Sequence, residues 1–345
     1  LKDKWEVGMM DTIRWGIIGC GDVTEVKSGP ALQKAEGSEL VAVMRRNGAL
    51  AEDYARRHGV AKWYDDAEAL IADPKVNAIY VATPPAFHRE YALLAANVGK
   101  PVYVEKPMAR NHAECLDMLS ACEAAGVSLF VAYYRRSLPR FNEIKRLLAS
   151  GVIGEVRLVQ TMQLQTQWAT GDQVLPWRIQ PELSGGGLFV DLASHTLDIL
   201  DYLLGPIGEV KGFAANQSGK HQVEDLVTTT YAFESGVIGI GTWCFSAYTR
   251  LDMNEIIGSL GKITFSTFGE DIRVELSDGQ VEERTILNPP HIQQPLIQSI
   301  VNELRGTGYS PSTGYSAART NRVMDELLRD FYKRDKTIDG NVTAN

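Results

Sequence analysis

Ile13-Arg14-Trp15-Gly16-Ile17-Ile18-Gly19-Cys20-Gly21-Asp22-Val23-Thr24 is the stretch that decides the fold. A short apolar run, Ile13 to Ile18, ends in a glycine turn, and Val23 to Ala35 reads as the helix that follows. Glycines at 19 and 21 permit a tight turn and close approach of the backbone to a pyrophosphate, which then rests on the helix N-terminus. Thr24 stands where the dinucleotide fingerprint has its third glycine. A glycine motif alone says little. Placed between a first strand and a helix, it points to a nucleotide site with Gly19, Cys20, Gly21, Asp22 and Val23 as candidate contacts.

Working outward, strands and helices alternate as far as Ala132. Strands are expected at 40–44, 78–82, 102–104 and 128–132, with helices at 49–58, 67–72, 87–98 and 113–125. Short apolar strands buried on both faces and joined by helices imply a parallel, doubly wound sheet. Beyond Ala132 the pattern changes. A helix over 140–149 leads into mostly strands from Glu155 to Glu283, with a hairpin at Ser235-Gly236 and one strong helix over 187–204. Two helices, 292–304 and 317–333, end the reading. The fold class is therefore α/β for residues 11–132, followed over 133–334 by an α+β domain with an open, predominantly antiparallel sheet.

Composition limits the function. A chain of 345 residues is too long for one ordinary core, and 44% apolar with 23% charged residues is globular. No apolar run approaches the ~20 residues of a membrane helix, and Leu1 to Met10 has no apolar core of a secretory signal. A net charge of −8 with no basic stripe argues against nucleic acid as a partner. Cys20, Cys115, Cys122 and Cys244 show neither metal-ligand nor disulfide spacing. No metal is expected, and a reducing, cytoplasmic setting is.

Ligands of open α/β sheets sit beyond the carboxyl ends of the strands. After the second strand come Arg45 and Arg46, and no acid appears before Glu52. An acidic side chain there would accept bonds from the ribose hydroxyls of NAD. Two arginines instead offer a fork for a 2′-phosphate, so NADP(H) is preferred, with NAD(H) as the second choice; a solvated basic loop is the bland alternative. Later strands end in Thr83-Pro84-Pro85, with His88 beyond, and in Glu105-Lys106-Pro107. Thr83, Pro84, His88, Glu105 and Lys106 join the cofactor candidates, although His88 could equally be a helix-start residue bonding nearby backbone. A lysine charge at a buried strand end requires a partner.

Gly185-Gly186-Gly187 precedes a helix bearing Asp191, His195 and Asp198 at i, i+4 and i+7, hence on one face. An otherwise apolar helix could hold such a pair as satisfied core, but the glycines let a ligand come close. Trp168, Trp177, Arg178 and Tyr133 could build an aromatic and polar substrate pocket. Gln163, Gln165 and Gln167 share one strand face, read as a polar or subunit-contact face.

The glycine turn, Glu105-Lys106-Pro107 and the glycine-led helix with Asp191 and His195 together resemble the glucose–fructose oxidoreductase/inositol dehydrogenase (Gfo/Idh/MocA) family, from about Thr12 to about Tyr332. The resemblance implies a Rossmann domain, a second domain whose sheet makes subunit contacts in a homo-oligomer (dimer or tetramer), and NAD(P)-linked chemistry on sugars, polyols and related compounds. It implies Lys106, Asp191 and His195 as the catalytic set, which would also touch substrate, a cis Lys106-Pro107 peptide, and Arg136 near the cofactor. Tyr134 departs from the asparagine common in that family. In the implied mechanism His195 moves the proton, Asp191 orients the imidazole and Lys106 stabilises the reacting oxygen. Two other readings keep the fold: a non-catalytic dinucleotide sensor, and a glycosidase that uses transient oxidation to drive elimination.

Overall fold

The computed structural model describes residues 10–166 and 176–339. They form two compact units, one running through Leu138 and taking in Asn288–Ala318, the other comprising Pro139–Leu287 and the chain from Arg319 onward.

The first unit has strands β1 (Ile13–Ile18), β2 (Ser38–Met44), β3 (Lys62–Tyr64), β4 (Ala78–Val81), β5 (Val102–Val104) and β6 (Leu129–Val131). They lie in the order β3-β2-β1-β4-β5-β6, every pairing parallel. The order reverses between β1 and β4, and that switch point is where such sheets bind ligands. Burial on both faces explains the unbroken apolar text of β4, β5 and β6. The edge strand β3, half-exposed and too short to carry an alternating pattern, is the one strand of this sheet that the sequence reading lacks.

Helices α1 (Gly29–Lys34), α2 (Gly48–His58), α3 (Ala67–Ala72), α4 (His88–Asn97) and α5 (His112–Ala124) connect these strands. The side chains of Asn47, Asp66 and Asn111 cap α2, α3 and α5 by accepting a backbone N–H. The expected helix over 23–35 is instead a π-helical turn, Thr24–Ser28, leading into α1.

The second unit begins with α6 (Pro139–Ala149) and β7 (Val156–Thr166). It continues through α7 (Pro181–Ser184), α8 (Ser194–Leu204), β8 (Ile207–Ala215), β9 (Leu226–Phe233), β10 (Ile238–Ala247), β11 (Leu251–Gly258), β12 (Gly261–Phe265), β13 (Asp271–Leu276) and β14 (Val281–Thr285). The sheet runs β14-β13-β12-β11-β7-β10-β9-β8, antiparallel except where β7 meets β10. Alternation in β10 places Gly241, Trp243 and Phe245 on the covered face and Ile238 and Ile240 on the other. Phe189 packs edge-on against Trp243, and Phe141 of α6 against Phe265. Gln163, expected on a polar or subunit-contact face, is only 2% exposed and shares the covered face with Val159 and Thr161. Gln167 lies outside the described residues.

Residues 288–318, which the sequence division put in the second domain, belong to the first unit. Helix α9 (Gln294–Leu304) buries Leu296, Ile297, Ile300 and Val301 there. Glu36 N–H bonds Gln298 Oε1 at 2.7 Å, and Ser312 Oγ donates to the carbonyl of Val131. The last helix, α10 (Gly314–Asp339), continues into the second unit, where Arg319 holds Asp201 of α8 at 2.7 and 2.8 Å.

One buried carboxyl group sets the approach to α8. Glu224 is 1% exposed and accepts the N–H of Gly187 at 2.8 Å and the hydroxyl of Tyr332 at 2.6 Å. A Cβ on Gly187 would come within 2.7 Å of the Glu224 carbonyl oxygen, so only glycine lets the turn close onto this acid. Burial pushes the Glu224 carboxyl up to about 7. The unfolded chain releases this proton near 4.5, so the stability it contributes is complete below that pH and is lost as pH rises through about 7. Glu224→Gln should therefore gain melting temperature relative to the wild type between about pH 5 and pH 8. Thermal unfolding of both proteins across that range checks this, and a pH-independent difference would refute it.

Candidate active site

In the first unit the cofactor candidates gather along one edge. Gly19 has φ +90°, and a Cβ there would meet Thr83 Cγ2 at 2.7 Å. The turn after β1 is thus pressed against the end of β4, with no room for a side chain. Gly19 N–H and Cys20 N–H both bond the carbonyl of Met44, tying this turn to the end of β2. Burial pushes the Cys20 thiol up to about 11, which keeps it protonated.

Thr24, in place of the third glycine, closes the turn itself. Its hydroxyl donates to Gly21 O at 2.7 Å and accepts Gly21 N–H at 3.0 Å. Close packing passes to Gly29, where a Cβ would lie 2.3 Å from both Thr24 O and the Tyr54 hydroxyl. Asp22 and Val23 remain at the start of the helical segment. Just beyond, Arg57 and His58 bond Glu25, and the guanidinium holds that carboxyl down at about 2.

Arg45 and Arg46 follow β2 and are exposed. The Arg46 guanidinium sits 5.1 Å from the Phe87 ring centroid, a cation–π contact that orients the side chain. Asn47 is committed to capping α2. Of the nearby acids, Asp53 is engaged by Arg56 and Arg57.

The end of β5 carries a buried polar network. Glu105 Oε1 accepts from the Tyr80 hydroxyl at 2.6 Å and from Gln293 Nε2 at 2.7 Å; Oε2 accepts Lys106 N–H at 3.2 Å. Gln293 in turn accepts from the Tyr103 hydroxyl, and the Tyr80 and Tyr103 rings stack at 4.7 Å. Burial raises both phenols well above their usual range. Lys106 itself is half-buried, and its peptide to Pro107 is cis, as the family resemblance implies. Glu105, 8% exposed, acts here as the anchor of the lysine's backbone.

Three candidates are enclosed by protein. His88 is fully buried, with Nε2 2.8 Å from Thr83 O and Nδ1 3.1 Å from Pro107 O. At the start of α4 it ties the end of β4 to the cis-proline turn through backbone carbonyls, the alternative its sequence position offered, and burial pulls its pKa down. Tyr133 is fully buried in the apolar core of this unit. Arg136 is 4% exposed and donates to Pro311 O.

In the second unit a π-helical turn, Phe189–Ala193, carries Asp191 and runs directly into α8, which carries His195. Such turns recur at functional sites because the extra residue re-aims the following side chains. Arg178 Nε lies 3.3 Å from Asp191 Oδ2 and its guanidinium stacks on Trp177 at 4.5 Å, so these three expected residues do come together. His195 is 4% exposed, with Phe268 edge-on at 5.8 Å. Asp198, on the same helix, is 1% exposed. Trp168 lies outside the described residues. Sequence reasoning missed Gln293, Gly29, Glu224 and Phe268. Glu224-Asp225 before a strand was the one legible hint. Among the described residues no cluster of His, Cys, Asp or Glu could hold a metal ion, and no helix is long and apolar enough to cross a membrane.

Comparison with known proteins agrees with this geometry. Residues 13–133 match the oxidoreductase family with NAD-binding Rossmann fold, and residues 141–264 match the GFO/IDH/MocA C-terminal domain. The chain is similar to Oxidoreductase P35 of Formosa agariphila, 42% identical over 320 residues, covering 92% of this chain and 98% of that protein. It is also similar to the scyllo-inositol 2-dehydrogenase (NADP(+)) IolU of Bacillus subtilis, 31% identical over 294 residues, with 80% and 84% covered. Among solved structures, the aldose–aldose oxidoreductase of Caulobacter crescentus complexed with glycerol superposes with a TM-score of 0.81 at 26% identity, over 93% of this chain and 98% of that one. A six-stranded parallel sheet bearing a dinucleotide turn, a second, mostly antiparallel sheet and these matches lead to one conclusion: the chain belongs to the Gfo/Idh/MocA family of NAD(P)-dependent oxidoreductases.

Proposed function

We propose that the protein transfers a hydride between NADP(H) and a sugar, polyol or related hydroxy or keto compound. One observation carries this reading: the dinucleotide turn, the paired arginines and Lys106 all follow the carboxyl ends of strands of a single parallel sheet. The cofactor fits these residues, since Gly19 leaves no side chain over the turn, and the exposed Arg45 and Arg46 after β2 support a 2′-phosphate. The Bacillus subtilis relative, named for NADP(+) and scyllo-inositol, and the aldose enzyme support the cofactor and the substrate class.

Held by these residues, NADP(H) would supply the hydride chemistry, and the protein's share is one proton and the charge on oxygen. His195 takes the proton in oxidation and returns it in reduction, the task for which an imidazole is suited near neutral pH. Asp191 orients that imidazole and favours its protonated form, while Arg178 steadies Asp191. Lys106 donates to the reacting oxygen and stabilises an alkoxide as it forms. Glu105, Tyr80 and Gln293 hold the lysine's backbone in place.

His195→Ala and Lys106→Ala should each lower turnover by about two orders of magnitude or more. NADPH affinity should change little in His195→Ala, and Asp191→Asn should do less damage than either. Turnover and melting temperature measured on the same samples decide it. Near-normal turnover in folded His195→Ala would remove the histidine from the mechanism.

For the cofactor, a charge-assisted hydrogen bond contributes about 1.5–3 kcal/mol. Arg45→Asp combined with Arg46→Ala should therefore weaken NADPH by about tenfold or more relative to NADH. Fluorescence titration of both cofactors reads this directly. Wild-type protein that binds NADH about tenfold tighter than NADPH would overturn the preference.

We also propose a homo-oligomer, dimer or tetramer, joined through the open face of the second sheet. Met162, Phe213, Ile238 and Ile240 are exposed there, Phe213 by 83%, around a groove lined by Lys211, Thr228 and Met253. Isologous pairing of that face is the simplest closed arrangement. Light scattering at micromolar concentration should give a multiple of the chain mass, and Phe213→Asp should shift it toward the monomer. A monomeric wild type would refute the assignment.

A further inference from the structure

Between β12 and β13 of the second unit, residues 266–270 form a loop held far more firmly than a surface turn requires. Asp252 accepts the N–H groups of both Thr267 and Phe268, at 2.9 and 2.8 Å. Arg140, 1% exposed, donates to Ser266 O at 2.6 Å and to Thr267 O at 3.3 Å. Gly269 N–H bonds back to Ser266 Oγ.

The Thr267 side chain extends the anchorage into the sheet and into the catalytic helix. Its hydroxyl accepts from Asn254 Nδ2 at 3.1 Å and lies 3.0 Å from the hydroxyl of Thr196, the neighbour of His195 on α8. Asn254 also bonds Thr161 of β7, so the loop, the sheet and the helix are linked by one buried chain of polar groups. Buried groups with every partner in place lock a single conformation.

Between these anchored neighbours Phe268 stays 39% exposed, with its ring at 88° to the His195 imidazole. Burying a phenylalanine ring stabilises a fold by removing apolar area from water. Here a rigid loop instead presents much of the ring to solvent, edge-on to the proton-transferring group. Rings of sugars and cyclic polyols carry hydroxyls around their rim and C–H groups on their faces. An aromatic surface matches such a face, and a few polar groups beside it fix the orientation.

We propose that Phe268 is a substrate-recognition residue, a preformed apolar platform that takes the C–H face of a cyclic polyol or sugar beside the oxygen whose proton His195 handles. This rests on the hydride-transfer reading above and narrows its substrate class to rings. The platform favours a ring over an open-chain polyol with the same number of hydroxyls, because only the ring offers a flat C–H face without losing chain freedom on binding.

The test compares scyllo-inositol with the open-chain hexitol glucitol, on wild type, Phe268→Leu and Phe268→Tyr, all holding NADP(H). Dissociation constants come from calorimetry and kcat/KM from cofactor absorbance. The wild type should prefer the ring, Phe268→Leu should shrink the ring-to-chain ratio by about tenfold, and Phe268→Tyr should restore most of it. Melting temperatures confirm that each variant is folded. An unchanged ratio in folded Phe268→Leu, or a wild type that binds neither polyol, would overturn the platform. Ring binding that depends on Phe268 but is never accompanied by turnover would instead overturn the hydride-transfer reading and leave the platform standing.

Discussion

A carboxyl group removed from water must be met by donors, and meeting that demand at Glu105 organises the first unit. Glu105 is 8% exposed just past the end of β5, and its two oxygens collect the Tyr80 hydroxyl, the Gln293 amide and the N–H of Lys106. Leaving any one of these out would cost about 1–3 kcal/mol. Because Gln293 comes from a segment nearly two hundred residues away in sequence, satisfying this acid brings residues 288–318 back to the first unit. The same network fixes the backbone of Lys106, so structural integrity and placement of the lysine have one cause.

Both candidate ligand-binding segments share a second constraint, close approach of backbone to backbone. Gly19 has no room for a side chain against Thr83, nor Gly187 against Glu224. Each such glycine turn is followed by a π-helical turn before the regular helix, Thr24–Ser28 in one unit and Phe189–Ala193 in the other. A strictly α-helical start would present the following side chains at a different angle. In the first segment the geometry also explains the missing third glycine. Thr24 closes the turn with its own hydroxyl, and Gly29 supplies the close contact with Tyr54.

The second unit separates its two faces. The covered face carries Trp243, Phe265 and the polar chain of Thr161 and Asn254, while Phe213 and Ile240 stand on the other. Gln163 shows why such a face is hard to assign from sequence. A glutamine in a strand reads as exposed, and here it is buried beside Val159 and Thr161. His88 and Tyr133 teach the same lesson in the first unit. The tyrosine is enclosed by protein, and the histidine bonds nearby backbone, one of the two readings its place at a helix start allowed.

What the sequence determined by itself is what neighbours along the chain control. The apolar runs of β1, β4 and β5, the glycine turn, the absence of an acid after β2 and the order of Asp191 and His195 on one helix depend on residues a few positions apart. Their periodicity is visible without any contact. Tertiary structure alone decided the partners of buried polar atoms: Gln293 for Glu105, Tyr332 and Gly187 for Glu224, Thr196 for Thr267. It decided as well that Phe268 lies against His195 and that 288–318 completes the first unit. A helix or strand is specified by spacing along the chain. A buried hydrogen-bond partner is specified by where distant segments pack, and no local pattern records that choice.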